Sequence, residues 1–295
     1  MTAVFLRHLD ATDKELALRS GIHSRLSSRY DVEPQFFGEV PTSPFAYWVS
    51  KAVRGLFDPQ SQFEANGRTA RQGLATSNDF RFIRAWFEVS PHSNAWRPIT
   101  KGGRRSTYYR DVGALVRWSE NGAEVKAYAE MTPGTQHWSR RVYNADLYFQ
   151  QGLSWPLRGV KFSSQAVPAG CIFSIAGKMA FVAPEDQLTF LGILNSQPFD
   201  RLMALFAGKI GGVQYEAGLI CRTPVPKITP EAHSTLSTLA ESGWLIQRSS
   251  DTVVEVSHAF TVPALFQVEG QSFRERAGAW AERVVAEQLE GLVLA

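Results

Sequence analysis

The sequence predicts an α+β chain: a mixed sheet, flanking helices and a helical C-terminal region. Three observations carry this. Short apolar runs at 85–89, 114–118, 170–175 and 179–182 are separated by Gly102-Gly103, Asn121-Gly122, Pro133-Gly134 and Pro168-Ala169-Gly170, the punctuation of short strands. Longer helical patterns come after these strands and do not alternate with them, which separates α+β from a parallel α/β fold. The last stretch, 271–292, is rich in Ala, Glu, Arg and Leu, with Phe273, Ala277, Trp280, Val284, Val285 and Leu289 on an amphipathic helical spacing.

Three regions follow in order: a helical lead-in at 1–66, a central domain at 67–228 and a helical region at 229–295. In the lead-in, 13–30 reads as a helix. So does 45–57, where Phe45, Trp48, Val49, Val53 and Phe57 fall at helical spacing behind Ser43-Pro44. Residues 58–67, with Pro59 and Gly67, read as a loop. Asn121-Gly122 between apolar segments predicts a hairpin pairing 112–118 with 123–128. Pro198 splits the helical pattern that starts near Asp186, so that a second helix begins after Asn195-Ser196. Thr229-Pro230-Glu231 is a helix start, with Thr229 as N-cap and Pro230 at the first helical position. Trp86, Trp96, Trp118 and Trp155 sit among apolar neighbours and are expected in the core.

Composition narrows the function. The 295 residues carry 31 Lys and Arg against 28 Asp and Glu, a formal net charge of +3, so a nucleic-acid partner is not indicated by total charge. The distribution is uneven. Nine basic residues oppose two acidic ones between Arg68 and Arg110, a net +7, whereas three oppose seven from Ser249 onward, a net −4. A basic, aromatic-studded segment followed by an acidic helical tail suggests a polyanion-facing part and a scaffold part. Two cysteines, Cys171 and Cys221, make neither a disulfide framework nor a four-thiolate zinc site. No apolar run reaches the roughly 18 residues of a membrane span, and the N-terminus carries Asp and Glu where a secretory signal is apolar. The expected location is the cytoplasm.

Catalytic motifs are mostly missing. In FAGKIGG, Ile210 stands where a phosphate loop needs Ser or Thr. There is no Gly-x-Gly-x-x-Gly and no Gly-x-Ser-x-Gly, and His8, His23, His92, His137, His233 and His258 have no metal-ligand spacing. Asp111 with Glu124-Val125-Lys126 has the Asp…Glu-x-Lys layout of a magnesium-dependent nuclease, and an exposed hairpin turn explains the same Glu-x-Lys. Ser43-Pro44-Phe45-Ala46 has one proline where a base-binding methylase loop has two, and no glycine-rich strand-turn for S-adenosylmethionine precedes it.

The order of several short segments resembles a known family. Pro44-Phe45-Ala46-Tyr47-Trp48 precedes Arg71-Gln72-Gly73-Leu74-Ala75-Thr76-Ser77-Asn78-Asp79, then Arg81-Phe82, Trp86-Phe87-Glu88-Val89, Trp96-Arg97-Pro98 and Lys101-Gly102-Gly103. Tyr108-Tyr109, Val116-Arg117-Trp118, Gly152-Leu153-Ser154-Trp155, Pro168-Ala169-Gly170-Cys171 and Leu191-Gly192-Ile193-Leu194-Asn195-Ser196 follow. From about residue 40 to about 285 this is similar to the C-terminal half of PglX-type adenine-specific DNA methyltransferases of BREX phage defence. It also resembles the Eco57I-like methylases of single-chain restriction-modification enzymes. The resemblance implies a target-recognition domain that reads double-stranded DNA. It implies that S-adenosylmethionine and the chemistry reside on a separate catalytic domain or subunit, with other defence-system proteins as further partners. On that reading the chain is expected to be a fragment, a split subunit or a remnant, with no cofactor of its own.

For such a reader, the expected DNA-facing residues are Arg81, Arg84, Lys101, Arg104, Arg105, Tyr108, Tyr109 and Gln214. Lys101, Arg104 and Arg105 flank a glycine pair and form a phosphate clamp. Gly73 and Gly102-Gly103 would let the backbone approach the duplex. Arg81 and Arg84 share a face only if they lie on a helical turn. Tyr108 and Tyr109 would stack or donate to phosphate, or sit in the core. Gln214, in the loop after Gly211-Gly212, would reach a base edge or remain a solvent-facing amide. Two competing functions stand beside this one: a protein-interaction subunit of a defence complex, and the nuclease using Asp111, Glu124 and Lys126.

Overall fold

The computed structural model describes residues 2–9, 11–23, 29–207 and 213–294. An antiparallel pair, β1 (Ala3–Leu6) and β2 (Arg29–Val32), is linked through α1 (Lys14–His23). After the short α2 (Lys51–Arg54) come β3 (Thr69–Arg71), α3 (Asp79–Phe82), β4 (Ile83–Ala85), β5 (Trp96–Thr100), β6 (Ala114–Arg117) and α4 (Ala123–Met131). A run of strands follows: β7 (Gly152–Ser154), β8 (Arg158–Gly159), β9 (Gln165–Val167), β10 (Ile172–Phe173) and β11 (Met179–Phe181). Then come α5 (Gln187–Asn195), α6 (Gln197–Ala204), β12 (Val213–Gln214), α7 (Ala217–Arg222), α8 (Pro230–Ser250) and α9 (Phe273–Leu294). The class is α+β.

Two four-stranded sheets carry the centre. One has the order β10-β5-β6-β4, with β10 parallel to β5 and the other pairs antiparallel; the second, β3-β11-β7-β9, is antiparallel throughout. Phe82, Ile99, Val116, Trp118 and Phe173 form the core of the mixed sheet, closed by Val125 of α4. Trp155, Phe190, Leu191, Met203 and Ile220 form a second core between the antiparallel sheet and α5 to α8. Gly192 lets α5 lie close to Leu236 of α8.

The start signals at Ser196 and Thr229 hold, whereas that at Ser43-Pro44 does not, α2 being capped by Ser50. Ser196 Oγ accepts from Phe199 N (3.4 Å), separating α5 from α6, and Thr229 Oγ1 accepts from Ala232 N (3.3 Å) at the head of α8. Trp118 and Trp155 are buried; Trp86 and Trp96 are only half-buried.

Three expectations are corrected. The predicted 45–57 helix shrinks to α2 and one 3-10 turn, Gly55–Phe57. Tyr47 instead stacks on Phe5 of β1 (4.7 Å, 5°) and Phe45 packs edge-on against Phe37 in the 3-10 turn Pro34–Glu39, so contacts with the N-terminal segment override helical spacing. Of the predicted 13–30 helix, Lys14–His23 is helical, residues 24–28 are outside the described set, and Tyr30 lies in β2 opposite Phe5. The hairpin at Asn121-Gly122 does not form. Glu120, Asn121 and Gly122 all have positive φ (48°, 54° and 73°) and turn the chain into α4, where Val125 and Ala129 are buried four residues apart. β6 pairs instead with β4 and β5. Of the FAGKIGG stretch, residues 208–212 lie outside the described residues.

Candidate nucleic-acid interface

The loop between β5 and β6 builds the site. Thr100 Oγ1 donates to Gly177 O (2.9 Å) at its entrance, and Tyr108 N donates to Ser164 O (2.8 Å) while Ala166 N returns a bond to Tyr108 O (2.9 Å). Gly102 and Gly103 both have positive φ (66° and 109°). A Cβ on Gly103 would lie 2.0 Å from an Arg110 guanidinium nitrogen, and one on Gly102 would lie 2.3 Å from Ala176 O. The close approach that these glycines permit is therefore internal: Arg110 fills the space beside Gly103 and donates to Arg104 O (3.2 Å). Gly73 likewise lies against β10, because its Cβ would fall 1.9 Å from Phe173 O.

Pinned in this way, the loop presents Arg104 and Arg105 to solvent. Among the described residues neither makes a salt bridge. The loop rims a cleft of about 590 Å³ whose lining includes Lys101, Arg104, Arg105 and Arg110 on one side and Asp251 and Ser257 on another. Burial lowers the affinity of the Arg110 guanidinium for its proton, and Asp251 opposes that shift; arginine stays charged over any physiological pH. Burial also raises the Asp251 carboxyl above its ordinary range; Ser257 opposes this, Asp111 adds like-charge repulsion and Arg110 opposes it.

A second basic group adjoins the loop. Asn78 Oδ1 caps α3 by accepting from Arg81 N (3.1 Å), and Asp79 is held by Thr76 Oγ1 and by Lys101 Nζ (2.7 Å). Burial alone would raise the Asp79 carboxyl, but the bonds from Lys101 and Thr76 outweigh it and hold the group below the usual carboxylate range. Arg81 donates to Glu124 Oε1 (2.8 Å), and Arg117 takes Glu124 Oε2 (2.8 Å). Arg84 lies in β4 and not on the turn that carries Arg81; its Nη1 donates to Phe80 O (2.7 Å).

The structure thus gathers Lys101, Arg104 and Arg105, and ties Lys101 to the Arg81 turn through Asp79. It gives the other candidates different surroundings. The Tyr108 ring packs on Gly243 of α8, and Tyr109 meets Trp244 edge-on (5.4 Å) while also lining the cleft. Gln214 is in β12, not in a loop; Arg158 Nη2 donates to its Oε1 (3.3 Å) and its Nε2 donates to Glu216. This edge is near the basic loop, since Arg105 acts on the neighbouring Tyr215 phenol. Burial, with Asp200 adding to it, pushes that phenol up to about 12, and Arg105 opposes the shift. Asp111, Glu124 and Lys126 go to separate partners: His258 (3.0 Å), the two arginines, and the face of Trp138 (4.8 Å). Among the described residues no group of three or more His, Cys, Asp or Glu side chains is placed to hold a metal ion.

Comparison with known proteins follows the same ground. Over 213 residues the chain is 25% identical to adenine-specific methyltransferase PglX of Lacticaseibacillus casei (strain Zhang), covering 67% of this chain and 17% of the relative. Over 283 residues it is 26% identical to adenine-specific methyltransferase BrxX of Escherichia coli O9:H4 (strain HS), covering 90% of this chain and 21% of the relative. The chain is homologous to PglX and BrxX. It spans about a fifth of the length of these relatives. The Type IIL restriction-modification enzyme MmeI, solved in complex with DNA, is similar in structure at 14% identity and a TM-score of 0.48, over 77% of this chain and 36% of that one. No protein-family model matches. Among the described residues no helix is long and apolar enough to cross a membrane.

In this PglX and BrxX homologue, sequence reasoning missed the acidic partners that hold the basic side chains. Asp79 stands next to Asn78 in a capping pattern, a usable signal; Glu124 does not, being 43 residues from Arg81. It also missed the clasp to the C-terminal region, where Asp111 bonds His258 and Trp86 Nε1 donates to Val256 O (2.8 Å), contacts across 147 and 170 residues that no local pattern announces.

Proposed function

We infer that this chain is a DNA-recognition region of an adenine-specific methyltransferase system in phage defence. It binds duplex DNA through the basic loop, and methyl transfer occurs on a separate catalytic domain or subunit. The observation that carries this is the exposed Arg104–Arg105 pair on a pinned loop, in a chain homologous over nearly its whole length to a fifth of an adenine-specific methyltransferase. Phosphate contacts need exposed, unneutralised cations held in a fixed register, which such a loop provides.

S-adenosylmethionine belongs to that separate part. Among the described residues, the Gly102-Gly103 turn is filled by Arg110 and the Ala176 carbonyl, so that turn offers the methyl donor no cradle. At the Ser43-Pro44-Phe45 segment, the Phe45 ring is 73% exposed and packs on Phe37. No methyl-transfer step is assigned to this chain.

The Arg104→Ala/Arg105→Ala double variant is expected to bind all duplex sequences more weakly by a similar factor. The slope of log affinity against log salt should fall in magnitude by about 2, one counterion-releasing contact per arginine. Fluorescence anisotropy with duplexes of different sequence, at several salt concentrations, measures both. Unchanged affinity, or a loss confined to one sequence, would contradict the clamp.

A further inference from the structure

Phe80 is 91% exposed, although Phe82, two residues on in the same short helix, is fully buried against Tyr128. Isolated exposed apolar side chains are ordinary on protein surfaces. What sets Phe80 apart is its mounting. Its helix is capped by Asn78, its carbonyl is held by Arg84, and the residue before it is fixed by Thr76 and Lys101. Arg81 is held in turn by Glu124. The ring therefore stands on a braced backbone, bordered in sequence by Arg81 and Arg84 and in space by Lys101, the first residue of the basic loop. Phe266 and Phe273 are comparably exposed, at 72% and 76%, but belong to the segment in which seven acidic residues face three basic ones, where a polyanion is repelled.

We propose that Phe80 is a wedge that enters the base stack of duplex DNA while Arg84, which meets no acid among the described residues, and the Arg104–Arg105 loop hold phosphates nearby. An apolar ring beside such cations offers a nucleic acid both of its chemistries, charge at the backbone and a π-face between bases, and partial unstacking is the known consequence of inserting such a side chain. The wedge rests on the DNA-binding reading above and adds a local distortion to it.

The test uses the full chain and a pool of random-sequence duplexes, reading affinity and the permanganate reactivity of unstacked thymines. The unaltered protein is expected to raise thymine reactivity. Phe80→Ala should abolish that rise and weaken binding about tenfold with the salt slope retained, and Phe80→Trp should restore reactivity. Because the ring is exposed, the denaturation midpoint of Phe80→Ala should match that of the unaltered protein. Binding by the unaltered protein without new thymine reactivity, or a reactivity pattern unchanged by Phe80→Ala, would overturn the wedge while leaving DNA binding intact. No binding at any salt concentration would overturn both.

Discussion

Trp155→Ala is expected to lower stability by about 3–5 kcal/mol. Trp155 is fully buried at the end of β7, packs on Phe162 (5.9 Å), and donates from Nε1 to Tyr215 O (2.9 Å). Truncation removes the largest side chain of the second core and leaves a cavity whose walls belong to the antiparallel sheet and several helices, which cannot all close in. It also releases the carbonyl that ties Tyr215, and with it the Arg158–Gln214 edge, to the core. Trp155→Phe separates the two effects. Most of the volume remains, and the expected loss falls to about 1–3 kcal/mol, the cost of a buried carbonyl left without its donor. Urea denaturation should show the midpoint falling in that order with little change in slope.

Gly73→Ala is expected to cost about 3 kcal/mol or more although it adds one carbon. A Cβ there would lie 1.9 Å from Phe173 O, the atom that accepts from Leu74 N (2.8 Å). The obstacle is backbone, so no rotamer change relieves it. Either β10 moves, with its pairing to β5, or the 73–74 segment leaves the sheet, and both exceed ordinary overpacking. Gly55→Ala is the matched control. Gly55 has nothing within 4 Å of its would-be Cβ and a helical φ of −64°, so a neutral change or a gain of about 0.4–1 kcal/mol is expected. A Gly73→Ala denaturation midpoint equal to that of the unaltered protein would contradict the packing described.

What was legible in the sequence was local. Ser196 with Pro198, and Thr229 with Pro230, announce helix starts because a cap and its N–H partner lie within three residues of each other. Asn121-Gly122 misled because left-handed residues serve a hairpin turn and a tight helix entry equally well. What decides is the burial of Val125 in the core of the mixed sheet, a tertiary contact. The 45–57 segment misled for a related reason: its aromatic residues match a helical period, yet Tyr47 is satisfied by Phe5, 42 residues earlier.

The same division runs through the candidate site. The concentration of basic residues between 68 and 110 is visible by counting. Which of them are neutralised is not. Arg81 and Lys101 meet their acids across 43 and 22 residues, while Arg104 and Arg105 meet none among the described residues. Gly102-Gly103 shows as a tight loop, but the space beside Gly103 is taken by Arg110, seven residues on, which no local pattern announces.

The most direct measurement of DNA reading is the equilibrium affinity of the unaltered chain for double-stranded DNA across a salt series. A folded sample should bind, and log affinity should fall linearly with log salt, by about 0.9 for each phosphate contacted. A folded sample with no affinity at low salt, or an affinity indifferent to salt, would contradict the assignment of the Arg104–Arg105 loop to the DNA backbone.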